Sequence, residues 1–171
     1  MIFNRRIYML EIKQIFEKEK YIDLVLEADP DKEIVEKYID DSDMYGLFEE
    51  GEILAEVIIT KVNDNICELK NIATVKLSRG KGYGKKLIQY VIQLYKNKYK
   101  KMIVGTTENN IPFYVKCGFD KYYKTIKNFF TDNYSEEVWD GDLQCIDMYY
   151  YYINLDEKGV NYKSIKISDN K

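Results

Sequence analysis

Short runs in which apolar and polar residues alternate are spread along the chain, and they predict a protein rich in β-strands. Strands with one buried face show this period of two, and polar or glycine-containing turns mark their ends. The turns at 49–52 and 63–65 join three such runs into an antiparallel meander. The predicted strands span 7–15, 44–48, 53–62, 66–77, 102–106, 119–125 and 143–153.

Helical spacing marks four segments between these strands, at 21–28, 30–39, 84–97 and 109–117. Asp29 and Pro30 predict an N-cap and a first-turn proline for the second helix, and Gly118 predicts the end of the fourth. Because the third helix joins 66–77 to 102–106, we expect these two strands to be parallel, through a right-handed crossover. The predicted buried face of the third helix consists of Leu87, Ile88, Val91, Ile92 and Tyr95.

The elements together predict a mixed α/β fold, with a mostly antiparallel sheet flanked by helices. The 171 residues are expected to form one domain, since no linker or repeat interrupts them and the length suffices for a core. The last two strands are expected to pair as a long hairpin. Residues 127–142 between them form an excursion over one face, and the residues after about 156 form a polar tail.

Composition and charge exclude several classes of function. A net charge of −3 argues against nucleic-acid binding. No run reaches the roughly 18 apolar residues of a membrane helix. No signal peptide is expected, so Cys67, Cys117 and Cys145 are interpreted as reduced thiols of a cytoplasmic protein.

The sequence contains 0 histidines, which removes Ser-His-Asp and Cys-His catalysis and disfavours a zinc site. No metal is expected, and any proton transfer must use a carboxylate, Tyr, Lys, Cys or water.

The densest chemical signal is the glycine turn, residues 79–86, with the sequence RGKGYGKK. It follows the strand at 66–77 and precedes the helix at 84–97. A turn at a helix N-terminus directs free N–H groups and the positive end of the helix dipole at an anion. A plain helix-entry turn is the alternative, although three alternating glycines exceed what a turn needs. The P-loop and dinucleotide patterns fit the spacing less well.

The chain resembles the GNAT superfamily of N-acetyltransferases over residues 44–123. Arg79, Gly82 and Gly84 match the acetyl-coenzyme A signature Q/R-x-x-G-x-G/A. The segment 113–119, FYVKCGF, is similar to the closing segment of the family, in which a helical tyrosine precedes a Gly-Phe pair. The element order also agrees. Thr74 departs from the pattern, because the family usually has an apolar residue there.

This resemblance implies acetyl-coenzyme A as the acyl donor, bound by a core at about 66–123. Backbone groups before the turn hold the thioester and the pantetheine arm, the turn holds the pyrophosphate, and Thr107 and Asn109 contact the pantetheine chain. A helix N-cap is the alternative role for Asn109. The implied donor-binding residues are Ile72, Ala73, Thr74, Arg79, Gly80, Lys81, Gly82, Tyr83, Gly84, Lys85, Thr107, Asn109 and Tyr114.

The expected reaction moves an acetyl group to a primary amine by direct attack. The amine arrives protonated, since its reference pKa is about 10.4. Glu68 is the candidate base, and strand alternation places it on one face with Lys70, Ile72 and Thr74 unless a bulge intervenes. A salt bridge with Lys70 is the alternative role, and Glu56 is a second candidate base.

Tyr114 is the candidate acid for the departing thiolate, and a core aromatic is its alternative role. A structural role is expected for Cys117.

The acceptor remains open between a small-molecule amine and a protein amine. Aromatic and acidic residues of the excursion and beyond it are candidates for an acceptor wall that suits a cation, although a solvated acidic surface is the alternative. These residues are Phe129, Phe130, Asp132, Tyr134, Glu136, Glu137, Trp139, Asp140, Asp142 and Asp147. A catalytically inactive coenzyme A-binding module and a nucleotide-binding protein are the other hypotheses, and a homodimer is left open.

Overall fold

A seven-stranded sheet forms the centre of the structure, a computed structural model that describes residues 9–156. The described strands are β1 (Leu10–Ile15), β2 (Asp43–Glu49), β3 (Glu52–Lys61), β4 (Ile66–Thr74), β5 (Lys101–Thr106), β6 (Lys121–Ile126), β7 (Trp139–Asp140), β8 (Leu143–Gln144) and β9 (Met148–Asn154). The described helices are α1 (Ile22–Ala28), α2 (Lys32–Glu36), α3 (Tyr83–Tyr95), α4 (Ile111–Lys116) and α5 (Phe129–Asn133).

The sheet has the order β1-β2-β3-β4-β5-β9-β6, and β7 pairs with β8 in a separate hairpin. Only β4 and β5 are parallel, and every other pair in this sheet is antiparallel. The predicted meander, the parallel crossover through α3 and the late hairpin of β6 with β9 are therefore confirmed. The mixed α/β class is confirmed with them. Residues 7 and 8 of the first predicted strand, and the predicted tail after 156, lie outside the described residues.

One face of the sheet packs on α3 through an apolar layer. The five residues predicted as the buried face of α3 are all buried, and they meet Val57 of β3, Leu69 of β4 and Phe119 in one cluster. Each fully buried aliphatic side chain of this kind stabilises the fold by about 1.5–3 kcal/mol. The helix that follows the glycine turn is thereby fixed against the sheet.

The opposite face packs on α1 and α2, and it mixes apolar with polar groups. Val25, Val35, Met44 and Ile58 form its apolar cluster. Glu56 on β3, with 0% of its surface exposed, and Asn71 on β4, with 4%, are also buried. Asn71 donates from Nδ2 to the backbone oxygen of Val25 at 3.1 Å, which ties β4 to α1.

A bulge in β4 and a divergence of β4 from β5 shape the middle of the sheet. Asn71 lies opposite Ile58 of β3 while Leu69 lies opposite Ile59, so Lys70 is the extra residue. The pairing of β4 with β5 ends at Leu69 and Val104. Beyond that point the rest of β4 pairs only with β3, and its other edge opens toward a cleft.

Several predicted boundaries were wrong. The last predicted strand, 143–153, is two elements, because 143–144 form β8 and pair with β7, while β9 spans Met148–Asn154. Strand β4 stops at Thr74 rather than 77, because Lys76–Ser78 form a 3₁₀ turn. Helix α2 ends at Glu36 rather than 39, and its N-cap is Asp31, not Asp29. Asp31 Oδ1 accepts from the N–H groups of Glu33 at 3.0 Å and Ile34 at 3.3 Å. Two aspartates flank Pro30, and the one after the proline reaches the first-turn amides. The carboxylate of Asp29 instead accepts hydrogen bonds from the hydroxyls of Tyr38 and Tyr134.

Candidate active site

The glycine turn presents an open main-chain surface at the start of α3. Gly80 and Gly82 have φ of 78° and 81°, a left-handed conformation in which side chains are strained. A Cβ atom at either position would meet nothing within 4 Å. In the part of the chain that the structure describes, no side chain caps α3 at Gly82, and the N–H groups of a first helical turn have no acceptor within the helix. The turn thus has the free donors and the space that a phosphate requires.

Basic side chains surround this surface. Lys81, Lys85 and Lys86 are exposed, and within residues 9–156 none of them has a carboxylate within 4.0 Å. Arg79 points elsewhere. Its Nε donates to the backbone oxygen of Thr74 at 3.1 Å, and its Nη2 lies 2.6 Å from Oε2 of Glu27 on α1. In this structure Arg79 therefore fastens the turn to β4 and α1, whereas the lysines stay available to an anion.

The residues expected to hold the thioester lie where β4 leaves β5. Ile72, Ala73 and Thr74 pair with β3 through Val57, Glu56 and Ala55. Their edge toward β5 has no ladder partner after Leu69. Since strand N–H and C=O groups need partners when they are buried, this edge is ready to bind an extended ligand.

Tyr114 lies on α4, and two backbone hydrogen bonds close the C-terminal end of this helix. The N–H of Phe119 bonds to the oxygen of Tyr114 and the N–H of Gly118 to that of Val115, both at 3.0 Å, which is the Schellman pattern. The rings of Tyr114 and Phe119 meet edge to face at 6.2 Å. Burial raises the pKa of Tyr114, with smaller contributions from Cys117 and Glu56. The phenol therefore keeps its proton at neutral pH, as a general acid must.

Glu68 lies deeper along β4. The bulge at Lys70 reverses the alternation, so Glu68 shares its face with Asn71, while Ile72 and Thr74 point toward α3. The expected common face of all four residues was wrong, because an extra residue intervenes. The side chain of Glu68 is 14% exposed, and its Oε1 lies 3.4 Å from Nζ of Lys70. The ion pair with Lys70, which is the alternative role of Glu68, is thus present in the structure.

Glu56 is buried next to this site. Its two carboxyl oxygens and Oδ1 of Asn71 are the buried side-chain atoms of the described chain that lack a hydrogen bond. Burial raises the pKa of Glu56 to about 8, and the backbone of Ala73 lies close enough to offset only part of this effect. Glu56 is therefore largely protonated at neutral pH.

Thr107 and Asn109 contact the excursion. Oγ1 of Thr107 donates to Oδ2 of Asp140 at 2.6 Å, and Nδ2 of Asn110 donates to the same oxygen at 2.9 Å. Nδ2 of Asn109 donates to the backbone oxygen of Asp140 at 3.0 Å. Asn109 thus does not cap α4, whose N-cap is Asn110. Together these bonds hold β7 across the carboxyl end of β5.

A cavity of about 550 Å³ connects these parts. Glu68 and Tyr114 both line it, together with Thr74 at the end of β4 and Gly84 of the glycine turn. This volume lies within the range of small-molecule sites, about 300–1,000 Å³. The predicted base, acid and donor-binding turn therefore open onto one space.

The excursion contributes part of its predicted residues to the cavity. Those that line it are Phe129, Phe130, Tyr134, Trp139 and Asp140. Glu136 and Glu137 line a separate cavity, and Asp132 and Asp142 are exposed. Asp147 accepts from Lys127 at 2.7 Å and from the N–H of Asn128 at 2.9 Å, so it fixes the start of the excursion.

Sequence reasoning missed Asp29, Tyr38 and Asn71 as residues of the cavity region. Oδ2 of Asp29 accepts from the hydroxyl of Tyr38 at 3.3 Å, and its Oδ1 accepts from Tyr134 at 3.1 Å. Asp29 and Asn71 line the cavity. An asparagine within the apolar strand at 66–77 was a signal that could have found Asn71. Asp29 gave no such signal, because an Asp-Pro pair also fits a helix start.

Cys67, Cys117 and Cys145 are free and buried in the described chain. Burial raises the pKa of all three thiols, that of Cys67 to about 12. Cys117 is thus not a ready nucleophile. Within residues 9–156 no group of three or more His, Cys, Asp or Glu side chains is arranged to hold a metal, and none of the helices described there is long and apolar enough to span a membrane.

Two diverging strands, a glycine turn and an acid–phenol pair on one cavity are the features of an acyltransferase that draws on a coenzyme A thioester. Comparison with known proteins agrees. The model of the acetyltransferase (GNAT) family matches residues 9–119. The chain therefore belongs to the GNAT family, and it is an acetyl-CoA-dependent acyltransferase.

Individual relatives cover almost the whole of this fold. The chain is 30% identical over 156 residues to the uncharacterized N-acetyltransferase YvbK of Bacillus subtilis, which covers 89% of this chain and 99% of that protein. A GNAT family acetyltransferase from Elizabethkingia anophelis, solved with acetyl-CoA bound, is 31% identical with a TM-score of 0.79, over 85% of this chain and 97% of that one. A Bacillus subtilis acetyltransferase in complex with CoA is 28% identical with a TM-score of 0.77, over 85% and 99%.

Proposed function

We propose that this protein, as a single domain of residues 1–171, transfers an acetyl group from acetyl-CoA to a primary amine by direct attack. The observation that carries the proposal is that Glu68 and Tyr114 line one cavity, which also reaches Thr74 at the end of β4 and Gly84 of the glycine turn. A base, an acid and a donor site that share a cavity can act on one acyl transfer without a covalent enzyme intermediate.

The donor end of the site consists of the glycine turn and the free edge of β4. The first-turn amides of α3, with Gly80, Gly82 and the side chains of Lys81 and Lys85, hold the pyrophosphate. Arg79 keeps the turn in place, Tyr83 flanks it, and the edge of Ile72, Ala73 and Thr74 binds the pantetheine arm and orients the thioester carbonyl. Thr107 and Asn109 border the same arm. Acetyl-CoA supplies the acetyl group as a thioester.

Glu68 and Tyr114 move the protons. Glu68 takes a proton from the ammonium of the acceptor, directly or through a water molecule, and passes it to solvent. The amine nitrogen forms a bond to the acetyl carbon, and the bond from that carbon to sulfur breaks. Tyr114 donates its phenolic proton to the departing sulfur, and the second proton of the amine restores the phenol. The position of Tyr114 on the cavity supports this role, and its phenol is protonated at neutral pH.

Thiol release in the presence of acetyl-CoA and a panel of primary amines tests the proposal. We expect release that depends on the amine, with an acetylated amine as the second product. Binding of acetyl-CoA without release on any amine would instead favour a coenzyme A-binding module without catalysis. Competition by ATP or NAD at the donor end would favour the nucleotide-binding alternative.

A further inference from the structure

A polar network lies on the wall of the cavity formed by the end of α1 and the segment after α5. The carboxylate of Asp29 accepts from Tyr134 at 3.1 Å and from Tyr38 at 3.3 Å. Nδ2 of Asn71 donates to the hydroxyl of Tyr38 at 3.0 Å. These residues come from the ends of α1 and α2, from β4 and from the segment after α5. The network thus fixes one carboxylate at the place where four distant parts of the chain meet.

This carboxylate lacks a cation. Within residues 9–156 no lysine or arginine nitrogen lies within 4.0 Å of Asp29. Lys70 is the nearby cation, but its Nζ lies 3.4 Å from Glu68, and it is the weakest of the influences on Asp29. Burial raises the pKa of Asp29 although two hydroxyls donate to it. A positive charge at this place would stabilise the ionised carboxylate.

The cavity as a whole also has an excess of negative charge. The charged residues that line it are Glu27, Asp29, Glu68, Lys70 and Asp140. Arg79 pairs with Glu27 and Lys70 with Glu68, which leaves Asp29 and Asp140 without a cation. Asp140 accepts from Thr107 at 2.6 Å and from Asn110 at 2.9 Å, whereas the two hydrogen bonds to Asp29 are longer, at 3.1 Å and 3.3 Å. Asp29 is therefore the carboxylate in the cavity with the greater remaining capacity for a ligand.

Asn71 gives a second, independent indication of a missing donor. It lines the cavity and is 4% exposed, yet its Oδ1 has no hydrogen bond. A buried carbonyl oxygen without a donor costs free energy. Aromatic rings of Phe130 and Tyr134 border the same region, and the ring of Tyr38 already lies 5.6 Å from the ammonium of Lys70. An ammonium at Asp29 would pair with the carboxylate and contact the neighbouring ring faces.

We propose that Asp29, together with Tyr38, Asn71 and Tyr134, binds a second cationic nitrogen of the acceptor, so that the acceptor is a small molecule with two amines. The inference rests on the proposed amine acetylation. The reacting amine lies between Glu68 and Tyr114, the second ammonium lies at Asp29, and the aromatic residues enclose the carbon chain between them. Asp29 is then a residue that sets specificity rather than a catalytic residue.

A matched series of acceptors tests this inference. The kinetic parameters kcat and KM are measured for α,ω-diaminoalkanes of increasing length and for the n-alkylamines of the same lengths. We expect one diamine length to exceed its monoamine at least about tenfold in kcat/KM, which corresponds to about 1.4 kcal/mol. The difference should lie in KM, because Asp29 acts on binding.

In the Asp29→Asn variant, kcat/KM should be about equal for the diamine and the monoamine of the same length. Asp43→Asn is the matched control, because Asp43 also accepts a hydroxyl, from Tyr95, but does not line the cavity. It should keep the advantage. A wild-type protein without diamine preference, or an Asp29→Asn variant that retains it, would overturn the inference, while amine-dependent thiol release would still support the proposed function.

Two further measurements keep the test decisive. Calorimetric binding of the preferred diamine to the protein with CoA needs no turnover, and it should weaken about tenfold in Asp29→Asn. If that variant does not fold, calorimetric binding of the n-alkylamine of the same length to the wild type replaces it. The monoamine should bind about tenfold more weakly than the diamine, and equal affinities would overturn the inference.

Discussion

The proposed donor end and the proposed acceptor end of the cavity are built in opposite ways. The donor end comes from a continuous stretch, from Ile72 through the glycine turn to Lys86, and it uses mainly backbone groups. The acceptor end comes from side chains of Asp29, Tyr38, Asn71 and Tyr134, which are joined by hydrogen bonds across up to 105 positions of sequence. A site made of local backbone can be recognised in a sequence, whereas a site made of distant side chains needs the fold.

The largest expected effect is at the donor end, in Gly82→Asp. Gly82 has φ of 81° and open space in front of it, so an aspartate there strains the backbone and places a negative charge against the pyrophosphate. We expect the affinity for acetyl-CoA, measured by calorimetry, to fall at least about 100-fold, or about 2.7 kcal/mol.

Gly51→Asp is a matched control for this change. Gly51 has φ of 86° and nothing within 4 Å of a Cβ atom, but it lies in the turn between β2 and β3. It should lose a similar amount of stability and keep its affinity. An equal loss of affinity in both variants would mean that strain, not the anion site, explains the effect.

Tyr114→Phe should act on turnover and leave both ends of the cavity intact. Removal of the phenolic proton donor should lower kcat by about 100-fold, while the affinity for acetyl-CoA stays within about twofold. Tyr122→Phe, at a residue 59% exposed on β6, is the control and should keep its kcat. If Tyr114→Phe turned over amines at the wild-type rate, Tyr114 would be a packing residue only.

Glu68→Gln should lower kcat/KM by about tenfold or more and remove the acidic limb of the pH–rate profile, because the glutamine cannot accept the proton. Glu56→Gln measured alongside distinguishes the two candidate bases. If Glu56 were the base, its pKa of about 8 would set the limb, and the limb would vanish in Glu56→Gln instead. An unchanged profile in Glu68→Gln would leave Glu68 with its ion pair to Lys70 alone.

A prediction of a different kind concerns stability on the face of the sheet that packs on α1 and α2. The folded protein keeps the proton of Glu56 up to about pH 8, whereas the unfolded chain releases it near the ordinary value of 4.5. The contribution of Glu56 to stability is therefore fully present below pH 4.5 and falls as the pH rises toward 8, by up to about 1.4 kcal/mol per unit. Glu56→Gln does not titrate and should gain stability relative to wild type over this window.

Urea unfolding at several pH values between 5 and 8 measures this difference. Glu52→Gln, at an exposed position of the β2–β3 turn, is the control and should follow the wild-type curve. Parallel curves for wild type and Glu56→Gln would mean that Glu56 is not protonated in the folded state.

The sequence allowed the order of elements, the buried face of α3 and the donor turn to be predicted, because each depends on local periodicity or on glycines in one stretch. The face of Glu68 could not be predicted. A single extra residue, Lys70, reverses the alternation, and bulges leave no mark in a pattern of apolar residues. Asp29 was misassigned because an aspartate before a proline also fits a helix N-cap. Only the fold shows that its carboxylate accepts hydrogen bonds from Tyr38 and Tyr134.

Amide hydrogen exchange, with and without acetyl-CoA, tests the central claim most directly, since it locates the donor on the chain. We predict that acetyl-CoA slows exchange at residues 72–74 and 80–85 and leaves the amides of β1 and β2 unchanged. Protection absent from the glycine turn, or concentrated on another part of the sheet, would contradict the assignment of the donor end.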